Sequence, residues 1–276
     1  MTGGFCGLIG AIAIGARNGF LGHVENVQAQ LKGANEVLCS LGVSILWTGW
    51  YGFNCGSTLQ AGGENRVFVA SRVAITTTIA AAASIGATSI YSRVFKGCFD
   101  LTFCLNGALA GLVSITASCA VVEVWSSFVI GVVGSCVYIA AALLIRYCGV
   151  DDPLNAFPVH GACGTWGLLA VGIFATRSNI RRAYGFDNDA MATGNQFRNQ
   201  AIGALCIIAW VASTASLLFF PLRLCGLLRV SLNVEKLGLD VAEHGVPWRN
   251  KVQIVDLKME EARKESGYDD DRRGPR

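Results

Sequence analysis

One histidine and one aromatic tract hold the residue types best suited to chemistry in this sequence. His160 lies in the run Asp151-Asp152-Pro153-Leu154-Asn155-Ala156-Phe157-Pro158-Val159-His160-Gly161. An imidazole can donate one hydrogen bond and accept another, and it exchanges a proton near neutral pH. Inside an apolar helix such a group is costly, which makes it a functional candidate. The plainer reading is a bundle histidine bonded to a neighbouring carbonyl or hydroxyl. The second feature is Trp47-Thr48-Gly49-Trp50-Tyr51-Gly52-Phe53-Asn54-Cys55-Gly56-Ser57. Aromatic faces attract cations, by roughly 2 kcal/mol or more once water is excluded. Phe53 and Ser57 are four residues apart and share a helix face. A ring and a hydroxyl together suit a small cation that also donates hydrogen bonds, ammonium rather than sodium. The competing reading of Trp47, Trp50, Tyr51 and Phe53 is an aromatic belt at a membrane surface.

The elements that position these residues are apolar. The chain has 276 residues, 53% hydrophobic and only 15% charged. Windows 37–63, 73–92, 101–122, 124–145, 153–176 and 199–222 contain no Asp, Glu, Lys or Arg. A helix needs about 20 apolar residues to cross the hydrocarbon core. In lipid, only helices and closed barrels satisfy their own backbone. The windows are continuously apolar rather than alternating, so they predict helices. Residues 1–16 are uncharged but short. No basic residue precedes them, and Met1-Thr2-Gly3-Gly4 reads as the interior of a segment, so they are read as the tail of a further helix. The expected fold is an all-α, polytopic transmembrane bundle with six full spans and part of a seventh.

The expected domains are a membrane region, 1–225, and a polar tail, 226–276, disordered towards its end. Arg17 and Lys32, Arg93 and Lys96, Arg146, and Arg223, Arg229 and Lys236 fall in loops on one side. Arg66 and Arg72, Glu123 and the loop 177–198 fall on the other. Positive charge favours the first set as cytoplasmic, which puts the tail in the cytoplasm; the four Arg of 177–198 run against it.

Asp152 is placed to cap the helix bearing His160, with Pro153 at the first helical position. His160 then lies about 10 Å along the axis. Gly161, Gly164 and Gly167 recur at intervals of three, which suggests close helix contact on one side. The eleven Cys include no C-x-x-C pair, and most lie in apolar windows where Cys acts as a small hydrophobe. No metal and no cofactor is expected, and copper or zinc transport fits poorly with one intramembrane His and no Met cluster. The net charge of +3 says nothing about nucleic acid, and no nucleic-acid partner is expected. Nothing resembles a nucleotide loop or an enzyme site.

Four tracts, in order, resemble the ammonium transporter (Amt/Mep) family. Trp50 to Ser57 is similar to its GWYGFNxGS signature, and Asp151 to Gly164 to its DDP…VHGxCG signature. Asn106-Gly107-Ala108-Leu109-Ala110-Gly111-Leu112-Val113 resembles NGALAGLV, a helix-packing tract. Gly238-Leu239-Asp240-Val241-Ala242-Glu243-His244-Gly245 resembles a regulatory tail motif. The resemblance covers residues 1 to about 248. It implies a plasma-membrane homotrimer of eleven-span subunits, ten of the spans forming an inverted repeat, each subunit with its own pore for ammonium or ammonia. It implies that His160 is the second of two paired pore histidines, Trp50 lines the pore, Phe53 is the inner gate ring, Ser57 is the outer-site hydroxyl and Asp152 is the carboxylate at the inner helix end. By the same resemblance the first histidine would fall immediately before Met1, and four spans with most of a fifth would lie upstream. Ala242 stands where many eukaryotic members carry a phosphorylated Thr, and Asn155 where some bacterial relatives carry a carboxylate. Two other readings remain: a non-transporting half-length subunit that joins intact family members, and a Rhesus-type channel for neutral ammonia.

Overall fold

The computed structural model describes residues 1–20, 35–58, 64–185 and 194–244. Helices occupy all six apolar windows. They are α1 (Thr2–Ile14), α2 (Glu36–Gly56), α3 (Glu64–Phe95), α4 (Leu101–Thr116), α5 (Val124–Tyr147), a π-helical turn (Phe157–Ala162) running into α6 (Cys163–Phe174), α7 (Arg177–Tyr184) and α8 (Gln196–Leu224). Val67–Phe95, Val124–Tyr147, Phe157–Phe174 and Gln196–Leu224 are long and apolar enough to cross a membrane.

The other two windows depart from the expectation of six full spans. Helix α2 has 21 residues, enough to cross, but Ser40, Ser44, Thr48 and Asn54 dilute its apolar character. Helix α4 stops at Thr116 instead of reaching 122. Beyond it the chain curls, with Ser118 N donating to Ile115 O and Val121 N to Ser118 O at 3.0 and 2.9 Å. Val122 then forms an isolated antiparallel bridge with Ala175.

Polar side chains start the helices and are quieted within them. Asn35 accepts from Leu38 N and Asp100 from Phe103 N, each capping a first turn. Ser40, Ser44 and Thr48 each return their proton to the carbonyl four residues back, so an apolar environment meets no free hydroxyl proton.

Helix α3 packs along α4 and α5. Glycine sets these approaches. A Cβ at Gly107 would overlap Thr88, and one at Gly131 would overlap the Ala80 carbonyl. Asn106, expected with Gly107 to serve packing, lies against the buried Tyr138 hydroxyl. Helix α2 covers the α3–α4 edge, while α1 and α8 lie together beside the π turn and α6.

Two placements differ from the sequence reading of the loops. Arg72 is inside α3, and its Nη2 donates to Val122 O at 2.7 Å. The segment after Ala175 is an eight-residue helix, not a loop, because Thr176 caps it and Ile180 and Ala183 bury against the bundle.

Contacts divide the chain into a unit Met1–Cys225 and a second beginning at Gly226. In the second, α9 (Leu232–Leu237) and α10 (Leu239–Ala242) meet at Gly238, whose φ of 90° suits glycine alone. Arg229 pairs with Glu235 at 2.9 Å. Asp240 lies on α10 and His244 is exposed just after it, while Gly245 and residues 246–276 lie outside the described residues.

Candidate functional site

The His160 turn is built from its first residues upward. Asp152 accepts from Ala156 N and Phe157 N at 2.9 and 2.8 Å, so a carboxylate caps the helix start where the backbone dipole favours an anion. Asn155 takes φ 52°, a left-handed conformation that Asn tolerates better than most residues. Asp151, 5% exposed, is clamped by Arg17: Nε and Nη2 donate to its two oxygens at 2.6 and 2.8 Å, and Arg17 N adds a third bond at 3.0 Å.

Above the cap the helix widens. Cys163 N donates to Pro158 O, five residues back, which makes Phe157–Ala162 a π turn. Such turns gather at functional sites. This one coincides with a very close backbone approach: a Cβ at Gly4 of α1 would fall on Gly161 N. Phe5 of α1 packs edge-on against Phe157, ring centroids 5.3 Å apart.

The glycine spacing works differently from the expectation. Gly161 and Gly164 face α1, where a Cβ at Gly164 would lie 2.8 Å from Met1 N. Gly167 faces α4, where a Cβ would lie 2.6 Å from Ser114 O. Steps of three fall short of the 3.6-residue turn, so the three glycines drift around the helix and serve two neighbours.

His160 is partly buried in the π turn, and its ring makes no hydrogen bond among the described residues. Its neighbours Val159 and Cys163 join a core with Ala110, Val113 and Tyr138, and Trp50 packs against that core. The Trp50 indole is aimed by its Nε1–H, which donates to Thr116 Oγ1 at 2.8 Å. Phe53 stacks edge-on with Trp50 at 6.2 Å and leaves 59% of its surface open. Trp50 thus packs against the core that Val159 and Cys163 join, with Phe53 stacked on Trp50, an arrangement that helix packing creates.

Ser57 and Asp152 sit at opposite ends. Cys55 joins the core that holds Phe174 and Ala175, at the far end of α6 from Asp152. Ser57 Oγ donates to Phe53 O at 2.6 Å and is exposed, so its lone pairs are left as acceptors. Between them, Asn54 is 1% exposed; its Nδ2 donates to Thr77 Oγ1 at 2.9 Å, while Oδ1 has no partner among the described residues. Trp47 and Tyr51 do not sit at a helix end: Trp47 Nε1 donates to the Tyr51 hydroxyl, which bonds Thr78 of α3 at 2.8 Å.

Sequence reasoning missed Arg17, Thr116 and the π turn. The first two act on partners far along the chain, with no local signature. Pro158 within a helical stretch was the one available hint of the third.

Residues 1–247 match the family model described as Ammonium Transporter Family. The chain is 35% identical over 257 residues to ammonium transporter 1 member 2 of Arabidopsis thaliana, covering 89% of this chain and 50% of that protein. It is 37% identical over 273 residues to ammonium transporter Amt2 of Archaeoglobus fulgidus, covering 96% and 56%. Among solved structures it resembles a sensor Amt protein, with TM-score 0.75, 30% identity and coverage of 88% and 57%. Mep2 of Saccharomyces cerevisiae gives TM-score 0.73 at 27% identity, covering 83% and 51%. The chain spans about half the length of the curated relatives it matches. With its apolar spans and this match over most of its length, it is an integral membrane protein that belongs to the ammonium transporter family.

Proposed function

We propose that this chain supplies one wall of a pore that moves ammonium or ammonia across a membrane. The observation that carries the reading is the packing of Trp50, with Phe53 stacked on it, against the core that Val159 and Cys163 on either side of His160 join, within the stretch matching the family. Ammonium is attracted by aromatic faces and donates to the Ser57 lone pairs, whose own proton is held by Phe53 O. Phe53, open on one side, gates entry. An N–H bond of ammonium breaks and its proton passes to an acceptor, for which the unbonded imidazole of His160 is the candidate. Ammonia then crosses the apolar stretch. Trp50, fixed by Thr116, keeps the wall beside His160 shaped and dry. Asp152 favours positive charge at its end of the helix while capping it.

The finer expectations travel with this proposal: a homotrimer, residence in the plasma membrane, a cytoplasmic tail with a regulatory role for Gly238, Asp240, His244 and Gly245, and transport rather than catalysis as the activity. His160→Ala, in a protein that carries labelled methylammonium into cells lacking their own uptake, is expected to lower the rate more than tenfold, the scale of losing a general acid–base group. Uptake at the unsubstituted level would remove the proton role.

A further inference from the structure

Two cysteines from different elements lie near the Ser57 end of the bundle. Cys55 follows Phe53 by two residues and precedes Ser57 by two. Cys119 sits in the turns that follow α4. Helices α2 and α4 advance in the same direction. Trp50 packs against the core of Ala110 and Val113, and Cys55, further along α2, packs against the core of Ile115, Cys119 and Val122. The bond from Trp50 Nε1 to Thr116 Oγ1, at 2.8 Å, fixes that register. From it, Cys55 is five residues further on and Cys119 three. The two sulfurs are close enough for a charge on one to be felt at the other.

The two thiols differ in access. Cys119 is 5% exposed, while Cys55 is half-buried, so a reagent from outside meets Cys55 first. Both cysteines rest on α3: Cys55 Sγ donates to Ala70 O at 3.4 Å, and Thr76 Oγ1 donates to Cys119 O at 2.9 Å. Cys119 Sγ donates to Thr116 O at 3.3 Å. A sulfur is a weak donor, so these contacts yield readily to covalent chemistry. By the charge asymmetry of the loops this end faces away from the cytoplasm, the side on which disulfides form and persist.

We infer that Cys55 and Cys119 are a redox pair that closes to a disulfide, tying the Ser57 end of α2 to the turns after α4. The oxidant is a small disulfide such as oxidised glutathione. The Cys55 thiolate attacks it, one glutathione leaves as the thiol, and a mixed disulfide remains on Cys55. The Cys119 thiolate then attacks the Cys55 sulfur and releases the second glutathione. Two protein thiols are oxidised while one small disulfide is reduced to two thiols, so protons and electrons balance. A protein disulfide needs Cα atoms about 5.5 Å apart. Cys119 can adjust to that distance because it sits in turns and not within a helix. Closure holds Phe53 and Ser57, on either side of Cys55, against the connection between α4 and α5; reduction releases them. The bond stands apart from the pore reading, and only its bearing on entry rests on that reading.

The test uses the full chain in detergent, incubated with oxidised glutathione, blocked with N-ethylmaleimide and digested for mass spectrometry. A peptide pair joined through Cys55 and Cys119 is expected in most of the chains and disappears with dithiothreitol. In Cys119→Ala the reaction stops with glutathione on Cys55. In Cys55→Ala, Cys119 takes up no glutathione, because only the Cys55 sulfur reaches it. An equal melting temperature under reducing conditions establishes that each variant is folded. The proposal is overturned if glutathione stays on Cys55 of the unsubstituted chain, if Cys55 joins a different cysteine, or if neither thiol reacts. These outcomes are read on the unsubstituted chain, so they hold even where a variant fails to fold. A bond is measured and not a flux, so a negative result leaves the pore reading untouched.

Discussion

The two ends of the helical bundle solve the same problem differently. At the Asp152 end, the charges are matched atom for atom. Arg17 gives three donors to Asp151, and Asp152 accepts two backbone N–H groups. At the α7 end, Arg72, Glu123 and Asn179 cluster more loosely. Arg72 Nε and Asn179 Oδ1 are buried with no partner among the described residues, and the Arg72–Glu123 separation is 3.6 Å. A buried polar atom without a partner is costly. The difference teaches where rigidity is concentrated: at the end whose cap leads directly into the His160 turn.

Three single substitutions and one double replacement sharpen or break this contrast, each read as the change in unfolding stability in detergent. Asp151→Ala strands Arg17 and is expected to cost about 3 kcal/mol, the low end for breaking a buried pair because Arg17 is partly exposed and can reach water. Replacing both partners, Arg17→Met with Asp151→Leu, should recover much of that loss, since no lone charge remains. Asp152→Ala removes the charged cap and should cost about 2 kcal/mol, with faster hydrogen exchange at Ala156 and Phe157. Asn179→Ala loses its bond to Glu123 but also removes an unpaired carbonyl, so about 1 kcal/mol is expected. If Asn179→Ala costs as much as Asp151→Ala, the ends are equally rigid and the contrast is wrong.

Much of the fold was legible because lipid imposes a severe rule: runs without charge must be helices. The windows around α5, α6 and α8 followed from that rule alone. It misled at Arg72, where a charge taken for a loop sits within a helix and reaches a carbonyl of the next turn region. It said nothing about Thr116, where α4 stops because backbone turns take over. At the site, the Asp152 cap was readable, since capping is local. The π turn was not, because it coincides with the contact between Gly161 and Gly4, far away in the chain. Nor was the bond between Trp50 and Thr116, which exists only once α2 lies on α4. Local chemistry wrote itself into the sequence; contacts between distant helices did not.

The Arg17–Asp151 clamp has a consequence for synthesis. Its partners are 134 positions apart. At 5–20 residues per second, Asp151 leaves the ribosome on the order of ten seconds after Arg17. Throughout that interval Arg17 has yet to meet Asp151, and as a basic loop residue it favours keeping its loop on the side of synthesis. When Asp151 arrives, the same charge is neutralised and becomes a fastener. One residue thus serves as a topological signal early and as a structural bolt late, and a variant that keeps the bolt but reverses the pair, Arg17→Asp with Asp151→Arg, would separate the two duties in time.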